Sequence, residues 1–159
     1  MRQLFYLIVI AILFASCKSS SVTTKRTNNN HLADEIINAA SENIGICYKT
    51  AGTTKAGYDC SGLVFSIFKL YDINLPRTSF EQSKTGIELG KNLNKAKKGD
   101  LIFFKTNSKS QINHVGIVIA VNNDDIQFIH TSTSKGVIIS STKEPYYKRT
   151  FAQLNRILF

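Results

Sequence analysis

Hydrophobic and polar positions divide the chain into stretches of different character. Leu4 to Phe14 is an almost unbroken apolar run. Lys18 to Asn30 holds a single aliphatic residue, Val22, and shows no periodicity, which predicts a flexible tether without fixed structure. From His31 to Ile44 the apolar residues Leu32, Ile36, Ile37, Ala40 and Ile44 recur at helical spacing and predict an amphipathic helix ending near Gly45. A loop containing Gly52 and Gly57 follows. Leu63, Val64, Ile67, Phe68 and Tyr71 then mark a second helix, with Asp59 or Ser61 as its N-cap. Pro76 closes the next loop, Thr78 to Thr85 is a candidate short helix, and Lys95 to Gly99 predicts a turn.

The remainder reads as strands: Leu101 to Lys105, the β-branched run His114 to Val121, Ile126 to Thr131, Gly136 to Ser140 and Leu154 to Phe159, with a turn over Asn122 to Asp125. Helices first and strands after predict an α+β domain, N-terminal helices packed on an antiparallel β-sheet of about five strands. No internal repeat is visible.

The first apolar run is too short to span a bilayer and follows the basic residue Arg2, as the core of an export signal does. Ala15, Ser16 and Cys17 resemble a bacterial lipobox, with Phe14 where that motif prefers leucine. The expected organisation is a lipoprotein signal peptide over residues 1–16, a lipidated Cys17 and tether over 17–30, and one folded domain over 31–159. Acyl chains on Cys17 would anchor the protein at a membrane surface, since each buried CH2 contributes ~0.8 kcal/mol.

The 159 residues fit one domain, and 43% hydrophobic content suits a packed core. The formal net charge of +9 points to polyanionic surroundings, an anionic membrane surface or wall polymer. No basic helix with interleaved aromatics is present, which argues against nucleic acid as a partner. The three cysteines do not make a disulfide framework: Cys17 closes the export signal, while Cys47 and Cys60 lie in the folded part. Without a CxxC pair a structural zinc site is not expected, and no metal or organic cofactor is expected elsewhere.

Chemistry concentrates in three segments. In Tyr58-Asp59-Cys60-Ser61-Gly62-Leu63 a cysteine stands where a helix begins; unpaired N–H groups and the helix dipole there favour a thiolate, and the same groups suit an oxyanion. Cys60 has a bland alternative as a buried structural cysteine. In Asn113-His114-Val115-Gly116-Ile117 a histidine opens an apolar strand, where its imidazole is placed to take a proton from a thiol, and Gly116 leaves room for close approach of a helix or substrate. In Phe128-Ile129-His130-Thr131-Ser132 a second histidine ends the next strand, within reach of the first through the intervening turn, as the orienting member of a nucleophile–base–orienter triad. Either histidine has the bland alternative of a strand-end residue.

These segments, in order with Gly99-Asp100-Leu101-Ile102-Phe103-Phe104 and with Pro76-Arg77-Thr78-Ser79 and Gln82, resemble the NlpC-type family of bacterial cell-wall cysteine peptidases, over roughly Leu32 to Phe159. The resemblance implies a papain-like core, with Cys60 as nucleophile, His114 as base and His130 as the third polar residue. It also places Tyr48 in the active-site wall and oxyanion region, and Asp59 and Ser61 on the substrate pocket. The family's Tyr-x-Trp/Phe-Gly-Gly segment is altered: Tyr48 is followed by Lys49-Thr50-Ala51-Gly52, without the second aromatic and one glycine. Cys47 stands where relatives often carry proline; it is expected to be a small buried residue, or alternatively a partner for Cys60 in an inhibitory disulfide. The implied function is a monomeric cysteine endopeptidase, held in the cell envelope by its lipid and facing the periplasm, that cleaves peptidoglycan stem peptides or cross-links. Alternatives are another papain-like amidase or transacylase, and an inactive wall-binding lipoprotein.

Overall fold

The computed structural model describes residues 21–108 and 110–159; the expected signal peptide and Cys17 lie outside them. Helix α1 (Ser21–Ser41) buries Ala33, Ile36 and Ala40 along one stripe. It begins upstream of His31, so residues 21–30 of the expected tether are helical. Once a helix nucleus exists, each added residue gains a hydrogen bond without needing an apolar face.

The chain then forms a two-residue ladder, β1 (Thr53–Thr54) with β2 (Gly57–Tyr58), and enters α2 (Cys60–Lys69). Asp59 caps α2: its backbone is extended and its carboxylate accepts from the Gly62 N–H at 2.6 Å. Leu63, Val64, Ile67 and Phe68 form the buried face. Only glycine fits at 62, because a Cβ there would stand 1.9 Å from the Gly52 carbonyl oxygen. The stretch read as a helix over Thr78 to Thr85 is one turn, α3 (Ser79–Gln82), capped by Thr78.

The main sheet has six strands, one more than expected: β3 (Ile87–Gly90), β4 (Leu101–Phe104), β5 (His114–Asn122), β6 (Asp125–Ser132), β7 (Gly136–Ser141) and β8 (Phe151–Arg156). Their order is β3-β8-β4-β5-β6-β7, every neighbour antiparallel. The extra strand is short, half exposed and at the edge, so Ile87-Glu88-Leu89-Gly90 carries little alternation to read. The last strand starts at Phe151 and stops at Arg156 because its register follows β4, while Ile157 and Leu158 turn to pack on the helical core. A short helix, α4 (Pro145–Thr150), precedes it.

The two faces of the sheet pack differently. Leu101, Phe103, Val115, Ile117, Ile129 and Val137 face α1 and α2. Ile102, Phe104, Val118, Ile126, Phe128 and Leu154 form a second core with Tyr147 of α4. Cys60 packs against the first core, whereas His130 stacks among Phe128 and Tyr147 of the second. Gly116 does make room, though for a neighbouring strand: a Cβ there would lie 2.8 Å from the Phe128 ring and 2.9 Å from the Ile129 carbonyl. The turn into β4 is held by Asp100, which accepts from Arg156 at 3.0 and 2.9 Å and from the Lys97 N–H at 2.8 Å.

Candidate active site

Cys60 is the first residue of α2 and His114 the first of β5. The two approach at the rim of the sheet, where the Cys60 Sγ lies 4.0 Å from the carbonyl oxygen of Asn113. Both line one cleft of about 530 Å³ together with Tyr48, Thr106, Asn113, His130 and the Thr131–Ser134 turn, with Tyr146 and Tyr147 opposite. Asn113 ties its loop to the end of β4 by accepting from the Thr106 N–H at 2.7 Å and donating to the Thr106 hydroxyl at 2.8 Å.

His114 Nε2 and His130 Nδ1 are 3.0 Å apart. This contact occupies the Nε2 edge of the His114 ring. His130 is buried, and its own Nε2 lies 3.1 Å from the Tyr147 hydroxyl and 3.2 Å from the Ser140 hydroxyl. A roomier cleft of about 860 Å³ lies beside Val121, at the far end of β5, and is lined by no cysteine or histidine.

Electrostatics set the resting protonation state. Burial, followed by the nearby Asp59 charge, pushes the Cys60 thiol up, although the N–H groups of Val115, Ser61 and Cys60 itself pull it down. The helix terminus therefore acts in the expected direction but is outweighed. Burial lowers His114 to about 4 and, together with its neighbour His114, lowers His130 to about 3. At neutral pH the resting site is thus a thiol beside a neutral imidazole. A thiol in this setting becomes a nucleophile only after losing its proton to a base.

The remaining sequence candidates fall in two places. Tyr48 is on the cleft wall, bridged to Tyr58 just before α2. Asp59 and Ser61 flank Cys60 but turn toward Arg77: its guanidinium donates to Asp59 at 3.0 and 2.5 Å and to the Ser61 hydroxyl at 3.0 Å. Gln82 steadies this corner by donating to the carbonyls of Ser61 and Pro76. Cys47 is exposed instead of buried, and both it and Cys60 are free thiols. Sequence reading gave no role to Arg77, Ser140 or Tyr147. Arg77 was visible in the Pro-Arg-Thr-Ser segment; the other two carried no local signal.

Among the described residues no helix is long and apolar enough to cross a membrane, and no group of three His, Cys, Asp or Glu residues is placed to hold a metal.

Comparison with known proteins places this geometry. A protein of Escherichia coli K12 named murein DD-endopeptidase MepS/murein LD-carboxypeptidase is 42% identical over 117 residues, which cover 72% of this chain and 57% of that protein. A probable endopeptidase NlpC from the same organism is 36% identical over 95% of this chain and 97% of its own length. The chain spans little more than half the length of several relatives it matches, 57% for a probable endopeptidase NlpC homolog of Haemophilus influenzae that is 44% identical. A crystal structure of an NlpC/P60 family protein from Bacillus cereus superposes with a TM-score of 0.71 at 34% identity, covering 80% of this chain and 40% of that one. The family model for NlpC/P60 matches residues 45–156, which include Tyr48, Cys60, His114 and His130, and the chain belongs to the NlpC/P60 family.

Proposed function

We propose that this chain is a cell-envelope cysteine endopeptidase that hydrolyses peptide bonds in peptidoglycan stem peptides or cross-links. The observation that carries the reading is the meeting of Cys60, at a helix N-terminus, with the His114–His130 pair on one cleft. The wall of that cleft supports a peptide substrate. Thr106, Asn113, Ser132, Thr133 and Ser134 offer donors and acceptors suited to amides, whereas an acyl chain would want an apolar lining. The substrate class follows the similarity to the murein endopeptidase.

In this mechanism the Cys60 proton passes from Sγ to Nδ1 of His114 as the thiolate attacks the scissile carbonyl. Backbone N–H groups at the start of α2, with Tyr48, receive the oxyanion. Two N–H groups of that first turn are already engaged, Gly62 by the Asp59 side chain and Leu63 by the Asp59 carbonyl, so those of Cys60 and Ser61 are left for the reaction. His114 gives its proton to the leaving amine, a thioester forms on Cys60, and His114 then activates the water that releases the acid. His130 holds the base ring throughout. Residues 1–16 act as a lipoprotein signal and Cys17 as the lipidated residue, so the domain works beside the membrane on the extracytoplasmic side.

The test is digestion of purified murein by the wild-type protein and by Cys60→Ala, with mass analysis of the fragments. New amino termini inside stem peptides, absent with Cys60→Ala, are expected. Release of whole stems from the sugar, or undiminished cutting by the variant, would overturn the reading.

A further inference from the structure

His130 is the orienting member of the site, but an imidazole orients its neighbour only when its own tautomer is fixed. The neutral ring has one donor and one acceptor nitrogen, and exchanging them reverses every hydrogen bond in the chain. If His130 Nδ1 carries the proton, it donates to His114 Nε2; His114 then carries its own proton on Nδ1, the nitrogen that accepts the Cys60 proton in the mechanism above, and cannot accept another. If His130 carries the proton on Nε2, its Nδ1 accepts from His114 Nε2–H, and the Nδ1 lone pair of His114 is free to take the Cys60 proton.

We infer that Tyr147 and Ser140 are positioning residues that lock His130 in the Nε2–H form and thereby hold His114 ready as a base. This inference rests on the cysteine-peptidase reading above. Two hydroxyl oxygens approach His130 Nε2, at 3.1 Å from Tyr147 and 3.2 Å from Ser140. An N–H at that position can be shared between two acceptors. A bare nitrogen there could take one hydroxyl proton at most and would face the lone pairs of the second oxygen. Both side chains are buried, His130 at 1% exposure and Tyr147 at 9%. Loss of both acceptors would leave the buried N–H without a partner, and an unpaired buried N–H is expensive.

The fold builds this pair on rigid parts. Ser140 lies on β7 two residues beyond Ile138, the register partner of His130 on β6, so it meets the ring as a diagonal same-face neighbour. Tyr147 comes from α4, its ring set edge-on to Phe128 at 5.1 Å and to His130 at 5.2 Å. When the Cys60 proton reaches His114 Nδ1, the new cation keeps its Nε2–H on His130. The His130 Nε2–H in turn leans on both oxygens, and positive charge is spread along the chain without any further bond being made or broken.

The experiment is ring-15N NMR of the purified protein, paired with steady-state cleavage of a defined murein peptide. The variants are Tyr147→Phe, Ser140→Ala, the double variant, and Ser140→Thr, which retains a hydroxyl. In the wild type both rings should carry the proton on Nε2. Either single loss should lower kcat about tenfold with KM unchanged, and the double loss about a hundredfold, within the range that general acid–base catalysis supplies. Ser140→Thr should restore most of the rate. The midpoint of His114 protonation should move down in the double variant, because its cation has lost support. A merely loosened pocket would admit water and move that midpoint up toward 6.5. An Nδ1–H tautomer of His130 in the wild type, or an upward midpoint in the double variant, would overturn the inference. If the wild type fails to cut murein, the peptidase reading falls, while the ring tautomers still decide the role of the two hydroxyls.

Discussion

The two faces of the six-stranded sheet differ in what they contribute. The face toward α1 and α2 is wholly apolar at its centre, Leu101, Phe103, Val115, Ile117, Ile129 and Val137, and it delivers the thiol through the tip of α2. The opposite face mixes aromatic packing with a polar chain, Phe104, Phe128 and Tyr147 around half-buried His114 and buried His130 and Ser140. Each face keeps one reactive partner away from the other along most of the sheet. They meet only at the rim, where β5 begins and Asn113 brings its carbonyl 4.0 Å from the sulfur. On the proposed roles, the apolar face holds the thiol by fixing a helix, whereas the imidazole pair is backed by a polar network of hydroxyls.

The sharpest way to break this division is to remove one reactive partner at a time. Cys60→Ala should abolish hydrolysis of murein peptides, and His114→Gln should lower kcat by about 10²–10⁴-fold, the contribution of general acid–base catalysis. Circular dichroism should show both folded. Residual turnover of Cys60→Ala near the wild-type rate would remove the first face from the mechanism altogether.

Core truncations on the two faces sharpen the contrast. Phe103 and Phe128 are both fully buried, and replacing either with alanine should cost about 3–5 kcal/mol in urea denaturation. Only Phe128→Ala should also lower kcat in the protein that remains folded, since its ring lies 5.2 Å from that of His130. Equal activity losses from the two truncations would erase the distinction.

Acid should act on the second face first. His114 and His130 are held near 4 and 3, below the ordinary 6.5, so the unfolded chain binds protons that the native one refuses. The stability tied to their neutral forms is complete above about pH 6.5 and declines as the pH falls from there toward 4. Thermal melts across that window should show this slope, and His130→Gln should flatten it. A melting temperature independent of pH between 6.5 and 4 would contradict the buried neutral pair.

The smallest effect is expected at the tip of α2. Asp59→Asn retains a capping oxygen but removes the charge that helps push Cys60 up. Alkylation of Cys60 at neutral pH should become modestly faster, by a few-fold, while the partly buried ion pair with Arg77 is weakened. Slower alkylation would reverse the assigned sign of the Asp59 field.

Much of the site was legible from the chain alone. Cys60, His114 and His130 stand in segments whose composition already suggests a helix start and two strand ends, and Asp59 proves to be the cap that its position before an apolar run predicts. Tyr147 was not legible, since α4 is too short to show a period and its tyrosine gains meaning only from the ring beneath it. Ser140 looked like any polar residue on an alternating strand, and Arg77 stood out only as part of the Pro-Arg-Thr-Ser segment, its role set by Asp59 and Ser61 turning toward it.

What the amino-acid order settles by itself is local. It fixes which strand positions alternate and which residues can lose or gain a proton, because each of these depends on neighbours a few residues apart. What only the tertiary structure decides is which buried groups share a pocket: residue 60 with residue 113, and residue 130 with residues 140 and 147. Those distances follow from strand register and face, where a slip of one residue would turn every side chain to the opposite side. Burial then reverses the local expectation for the thiol, since removing charge from water outweighs the pull of a few N–H groups.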